Sequence, residues 1–168
     1  MRRYSIGYQI RMATIDDLPQ IVEIFNQAIP LGVNDDTAPL EVVDRQEWFQ
    51  QFDDTHPLWL MFDDQQIIAW CGLEYFYPHP AYVHSAEIAV YVRSEFQGQH
   101  LGRTLLQFVD QQITKQLAIK TVIAYIYAEN TPSQHLFKAY GYSQWGHLPK
   151  ISHIKGQFRD LLVFGKNF

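Results

Sequence analysis

The 168-residue sequence predicts an α/β fold, a mixed sheet with helices on both faces. Three observations carry this expectation. Three stretches repeat apolar residues at the spacing of amphipathic helices, and short runs rich in β-branched and aromatic residues alternate with them. In the middle of the chain one helical stretch stands between two such runs, an order that implies a parallel strand pair. No linker, repeat or low-complexity segment intervenes, so residues 1–168 read as a single domain.

A short strand is expected at residues 8–12. Thr14, followed by Asp16 and Asp17, marks a helix start, and Leu18, Ile21, Val22, Ile24 and Phe25 form the apolar stripe of a first helix that ends before Pro30. Residues 31–39 (LGVNDDTAP) are turn-rich and acidic. A second helix is predicted over residues 41–52, with Val42, Val43, Trp48, Phe49 and Phe52 as its apolar positions. Residues 58–62 and 67–76 flank the polar turn DDQQ and read as a β-hairpin. Pro78 and Pro80 interrupt the chain before VHSAEIAVYV, residues 83–92, whose content suits a central strand. Leu101, Leu105, Phe108, Val109, Ile113 and Leu117 define the longest helix, and a strand at 121–127 follows. Pro132, just after Asn130 and Thr131, begins a short helix that ends at Gly141. Strands at about 142–150 and 158–165 complete the sheet.

A chain of this length can bury roughly 70% of its unfolded surface. Its 47% apolar, 15% aromatic and 18% charged composition argues for a globular, aromatic-rich interior. The net charge of −5, with no block of like charges, lacks the field that gathers phosphate backbones, so nucleic acid is not an expected partner. Cys71 is the single cysteine and sits in an apolar run, which fits a core residue of a reduced, cytoplasmic protein. Nothing resembles a signal peptide or approaches the ~20 apolar residues of a membrane helix. The seven histidines are scattered and form no HExxH, so no metal site is expected.

Three segments carry chemistry. Glu87 stands among Ala86, Ile88, Ala89 and Val90, where partial desolvation raises a carboxylate toward neutrality and suits it to general-base work. An ion-paired or water-facing glutamate on a half-exposed strand is the equal alternative. In FQGQHLGRTLL, a polar loop with Gly98 and Gly102 opens a helix, which aims backbone N–H groups and the helix dipole at one point, as a pyrophosphate requires. Arg103 adds a full charge, although two glycines before a helix also describe an ordinary turn. In AENTPSQHLFKAYGY, Asn130 and Ser133 stand at a helix start, where capping alone explains both.

In order, spacing and residue type these segments resemble the GNAT superfamily of acyltransferases. The likeness to its phosphinothricin-acetyltransferase-like members extends over nearly the whole chain, through IRMATIDDLPQIVEIFNQA, EIAVYVRSEFQGQHLG and LPKISHIKGQFRDLLVFGK. The resemblance implies a mixed, largely antiparallel sheet with a central splayed parallel strand pair. It places acetyl-CoA, as co-substrate, between residues 88–92 and 122–127. The backbone of Val90, Tyr91 and Val92 would pair with pantetheine, and a nearby N–H would polarise the thioester carbonyl. Gln97, Gly98, Gln99, His100, Leu101, Gly102 and Arg103 would hold the pyrophosphate, and Asn130 with Ser133 the CoA arm. Glu87 would deprotonate the amine, directly or through water. No metal or second cofactor is implied, and a homodimer is.

The chain departs from the family pattern in three places. The usual QxxGxG loop has His100 in place of the first glycine of its closing pair, which bears on cofactor affinity. Phe137 occupies the position of the customary thiolate acid, leaving Tyr125, Tyr127, Tyr140 or solvent as substitutes. The loop before the glutamate strand, EYFYPHPAYVHS, lacks basic residues suited to an amino-acid carboxylate. It retains Tyr75, Phe76, Tyr77 and Tyr82 as acceptor contacts, with His79 and His84 as polar ones. The implied reaction is acetylation of the primary amine of a small molecule, an amino-acid analogue such as phosphinothricin or a methionine sulfone or sulfoximine. The acidic Asn34-Asp35-Asp36 loop leaves a polyamine or aminoglycoside-type amine as the alternative, and His100 with Phe137 leaves a non-catalytic CoA sensor.

Overall fold

The computed structural model describes residues 7–168. Strand β1 (Gln9–Met12) leads through a 3-10 turn into helix α1 (Leu18–Ala28). Thr14 starts this turn as predicted: its N–H and hydroxyl both donate to Asp17, whose carboxylate also holds Arg11 at 2.8 Å. A single helical turn, α2 (Gln46–Phe49), precedes the hairpin of β2 (Leu58–Asp63) and β3 (Gln66–Tyr75). Then follow β4 (Ser85–Val92), α3 (Leu101–Lys115), β5 (Thr121–Tyr127), α4 (Thr131–Ala139), β6 (Ser143–Ile154) and β7 (Gln157–Asn167).

Among the described residues, seven strands form one sheet in the order β1-β2-β3-β4-β5-β7-β6, and only β4 and β5 run parallel. Helices cover both faces. On one, Leu101, Leu105, Leu106, Val109 and Ile113 of α3 and Phe137 of α4 pack on Ala86, Ile88, Val122 and Ala124. On the other, Ile21, Ile24 and Phe25 of α1 cover Leu58, Leu60, Ile67 and Trp70. Each fully covered aliphatic side chain of this kind contributes about 1.5–3 kcal/mol. Cys71 belongs to the first cluster, and burial drives its thiol pKa upward, as a core residue requires.

The second predicted helix is the main correction. Residues 41–52 hold only a 3-10 turn, Val42–Arg45, and the four residues of α2. Glu41 and Asp44 cap that turn, with the Glu41 N–H donating to Asp44 at 2.8 Å. Val43 is 66% exposed, so one of the five apparent apolar positions has nothing to pack against, while Trp48, Phe49 and Phe52 reach the core from separate short turns. The last two strands are longer than predicted. They meet at Lys155 and Gly156, both at positive φ, the backbone of a tight two-residue hairpin turn.

Candidate active site

The site is a consequence of sheet topology. Parallel pairing of β4 with β5 is confined to Ser85↔Thr121, Ala86↔Val122 and Glu87↔Ile123. Beyond it, β4 follows its antiparallel partner β3 through Val92, while β5 follows β7 through Tyr127. Each strand keeps its own neighbour, and the two part. A cavity of about 560 Å³ opens in the gap, lined by Ile88 to Val92 on one side and Ala124 to Tyr127 on the other. The β4 edge that faces β5 here has no strand partner, so its peptide groups are free to meet an extended ligand arm.

Glu87 stands where the strands begin to part and lines the cavity. Burial, reinforced by the negative charges of Glu74 and Asp35, pushes its carboxyl up to about 7. A carboxyl raised toward neutrality binds a proton more readily than an ordinary glutamate does.

At the far end of β4, a 3-10 turn and a polar loop lead into α3. Gly98 and His100 both have positive φ, 76° and 64°, and His100 is the residue immediately before the helix. A histidine here adopts the left-handed backbone that a glycine would take with less strain. Among the described residues, no N–H from Gly98 to Gly102 donates to another protein group, whereas Arg103 and Thr104 donate to the His100 carbonyl. Five unpaired amides lead into the positive end of a 15-residue helix, a segment suited to a pyrophosphate. Gly102 also lets α3 approach α4, because a Cβ there would lie 2.9 Å from Leu136. Arg103 is exposed beside this loop, and the Gln97 side chain donates to the Val92 carbonyl at 3.3 Å.

Val90, Tyr91, Val92, Gln97, Asn130 and Ser133 all line the cavity. The Asn130 side chain accepts the Ser133 N–H at 3.2 Å, so capping is realised, and the pair still faces the gap. Phe137 lines the cavity edge-on to Tyr142 and carries no proton to give. Of the three substitute acids, Tyr125 and Tyr127 are in the wall, and Tyr140 is not. The Tyr127 hydroxyl donates to Asp35.

The acceptor aromatics expected before β4 form a separate cluster. Tyr82 lies 5.9 Å from Phe76 and 5.4 Å from Tyr77, ring to ring, and none of the three lines the cavity. His79 and His84 are occupied locally, His79 by the Ala81 N–H and His84 by the Ala118 carbonyl.

Other residues complete the cavity wall: Glu74, Arg45, Trp48 and Trp70, together with Asn34, Asp35 and Asp36. The Arg45 guanidinium lies over the Phe25 and Trp48 rings at 4.4 and 5.0 Å, with Asp36 at 3.7 Å. Asn34 is 7% exposed and its amide has no partner among the described residues. Glu74 was open to detection by the argument that selects Glu87, since it too is a lone carboxylate within an apolar strand.

Residues 18–142 match the acetyltransferase (GNAT) family. The chain belongs to that family. It is an acetyl-CoA-dependent N-acetyltransferase. YwnH of Bacillus subtilis (strain 168), provisionally named a phosphinothricin acetyltransferase, is 35% identical over 94% of this chain and 97% of its own length. An L-methionine sulfoximine/L-methionine sulfone acetyltransferase of Pseudomonas paraeruginosa is 27% identical over 94% of this chain and 93% of its own. The crystal structure of a provisionally named phosphinothricin N-acetyltransferase superposes with a TM-score of 0.91 at 33% identity, over 96% of this chain and 98% of that one. The acetyltransferase sheet, with its splayed parallel pair, is therefore the fold of this chain.

Proposed function

We propose that the enzyme moves the acetyl group of acetyl-CoA to the primary amine of a small, amino-acid-like molecule, with Glu87 as general base. The observation that carries this reading is Glu87 itself, a carboxyl raised to about 7 in the wall of the gap between the parting strands. The amino-acid character of the acceptor is supported by the relatives, whose names specify phosphinothricin and methionine sulfoximine or sulfone. The reading takes the whole chain as one acyltransferase domain acting as a cytoplasmic homodimer.

Gly98 to Arg103 would hold the pyrophosphate through unpaired amides, and Val90 to Val92 would align the pantetheine arm. Glu87 takes a proton from the acceptor ammonium. The freed nitrogen lone pair bonds to the thioester carbonyl carbon, the C–S bond breaks, and its electrons leave with sulfur as thiolate. Of the nitrogen's three protons, one stays in the amide, one ends on the CoA thiol and one reaches solvent. With Phe137 unable to act, Tyr125 or solvent supplies the thiol proton. A thiol's ordinary pKa of about 8.5 makes this a light demand.

A second reading, acetylation of a polyamine or aminoglycoside-type amine, is favoured by the three further carboxylates at the acceptor end, Asp35, Asp36 and Glu74. Thiol release from acetyl-CoA across a panel of amino-acid analogues, polyamines and aminoglycosides separates the two. Acetyl-CoA binding without turnover on any of them would instead leave a CoA sensor. Sedimentation in solution tests the dimer.

A further inference from the structure

Glu87 has a partner carboxylate on the same face of the sheet. In the antiparallel ladder of β3 and β4, Glu74 lies directly opposite Glu87, Gly72 opposite Ala89 and Trp70 opposite Tyr91. The last pair stacks at 4.6 Å between ring centroids, which fixes the shared face. Directly opposed residues keep their Cβ atoms about 4.5–5.5 Å apart and point the same way. Both glutamates accordingly reach the acceptor end of the cavity, and both line it. Like charges placed opposite each other destabilise a sheet. Among the described residues, neither takes part in an ion pair that would relieve this repulsion. What the pair lacks is a cation between its two members.

We propose that Glu74 and Glu87 together form a cradle for the acceptor's primary ammonium. The inference rests on the reading of Glu87 as the base. A primary ammonium has three N–H donors. Glu87 accepts the one whose proton must leave, while Glu74 holds a second and so fixes the nitrogen as its lone pair forms the new bond. Glu74 is a positioning residue and exchanges no proton. The cradle selects amines that arrive as cations with at least two N–H donors, and it disfavours hydroxyl acceptors.

The surrounding charges agree. Facing the pair are Asp35 and Asp36 from the loop after α1, Arg45 from the turn before α2, Tyr91 of β4 and Tyr125 of β5. Burial and the neighbouring Glu74 and Asp35 raise Glu87. Burial raises Glu74 as well, moderated by Trp48 and Arg45. A pair that resists double ionisation becomes doubly charged more readily when an ammonium enters.

The test is Glu74→Gln, which keeps size and removes charge. With the best primary amine of the panel, KM is expected to rise about tenfold or more, the scale of a lost charged hydrogen bond, while acetyl-CoA affinity stays unchanged. The acid limb of the kcat/KM profile should move to lower pH by on the order of one unit, because Glu87 loses a like-charged neighbour. Glu74→Asp, which restores the charge, should return the limb to its original place. A role in packing alone would lower Tm and leave the limb where it was. If Glu74→Gln does not fold, carboxyl NMR of Glu87→Gln tests the coupling from the other side, and the Glu74 titration should fall. Unchanged KM and limb in an active Glu74→Gln, or an unmoved Glu74 titration in Glu87→Gln, would overturn the cradle with the base intact. Absence of thiol release by the wild type on every amine would sink the base reading instead.

Discussion

Glu87 and His100 each hold a state that the unfolded chain would not choose. The Glu87 carboxyl is raised from 4.5 to about 7, so the fold binds its proton more tightly than the unfolded chain does. Its contribution to stability is therefore complete below about pH 4.5 and is lost as pH rises through 7. A shift of that size corresponds to roughly 3 kcal/mol at alkaline pH. Glu87→Gln is expected to melt about 5 °C above the wild type at pH 8, with the gap closing at pH 5. The same variant should lose 10²–10⁴-fold in kcat, the usual span for a general base, with acetyl-CoA binding retained. Melting curves at the two pH values, read beside kinetics, check both halves. For His100, the left-handed backbone costs about 1–2 kcal/mol that glycine avoids, offset in part by the greater freedom of glycine when unfolded. His100→Gly should raise Tm by about 1–3 °C and tighten acetyl-CoA binding, measured by titration calorimetry.

Among the elements, α3 approaches α4 where Gly102 meets Leu136, since a Cβ at position 102 would lie 2.9 Å from that side chain. Gly102→Val would have to displace the Leu136 side chain. A loss of about 1–3 kcal/mol in unfolding free energy, together with weakened acetyl-CoA binding, is the expected result of overpacking there, and denaturant titration reads the first directly. Elements with a strong internal period were legible in the sequence: α1 from Leu18 to Phe25, α3 from Leu101 to Ile113, and β5 at its observed bounds. The turn around α2 was not, because Val43 imitates a helical apolar position while facing water. Glu87, the loop and Asn130 could be read because each belongs to a local pattern. Glu74 offers the same local signal as Glu87, but its meeting with Glu87, like that of Arg45, depends on strand register and on a loop folding back, which no short window of sequence contains.

For the molecule as a whole, the pH dependence of stability between pH 5 and 7 is expected to follow groups of opposite sign on one stretch of sheet. His56 is 1% exposed, with its Nε2 3.2 Å from the Ser85 carbonyl and its ring stacked 3.7 Å from Tyr75, so it braces the start of β4 two residues from Glu87. Burial lowers its pKa below 6.5, outweighing the Ser85 carbonyl and Asp53. The unfolded chain thus takes the proton first, and the His56 contribution, full above pH 6.5, is lost as pH falls below that value. Glu87 and Glu74 act in the other direction, gaining stability for the fold as pH drops from 7 toward 4.5. Between pH 7 and 5 the two effects oppose, and the wild-type Tm should be nearly flat. Removing one side exposes the other. The Tm of Glu87→Gln should fall on acidification through this window, and that of His56→Gln should rise. Thermal melts at half-unit steps from pH 5 to 8 decide the matter, and parallel curves for the three proteins would show that these groups do not govern it.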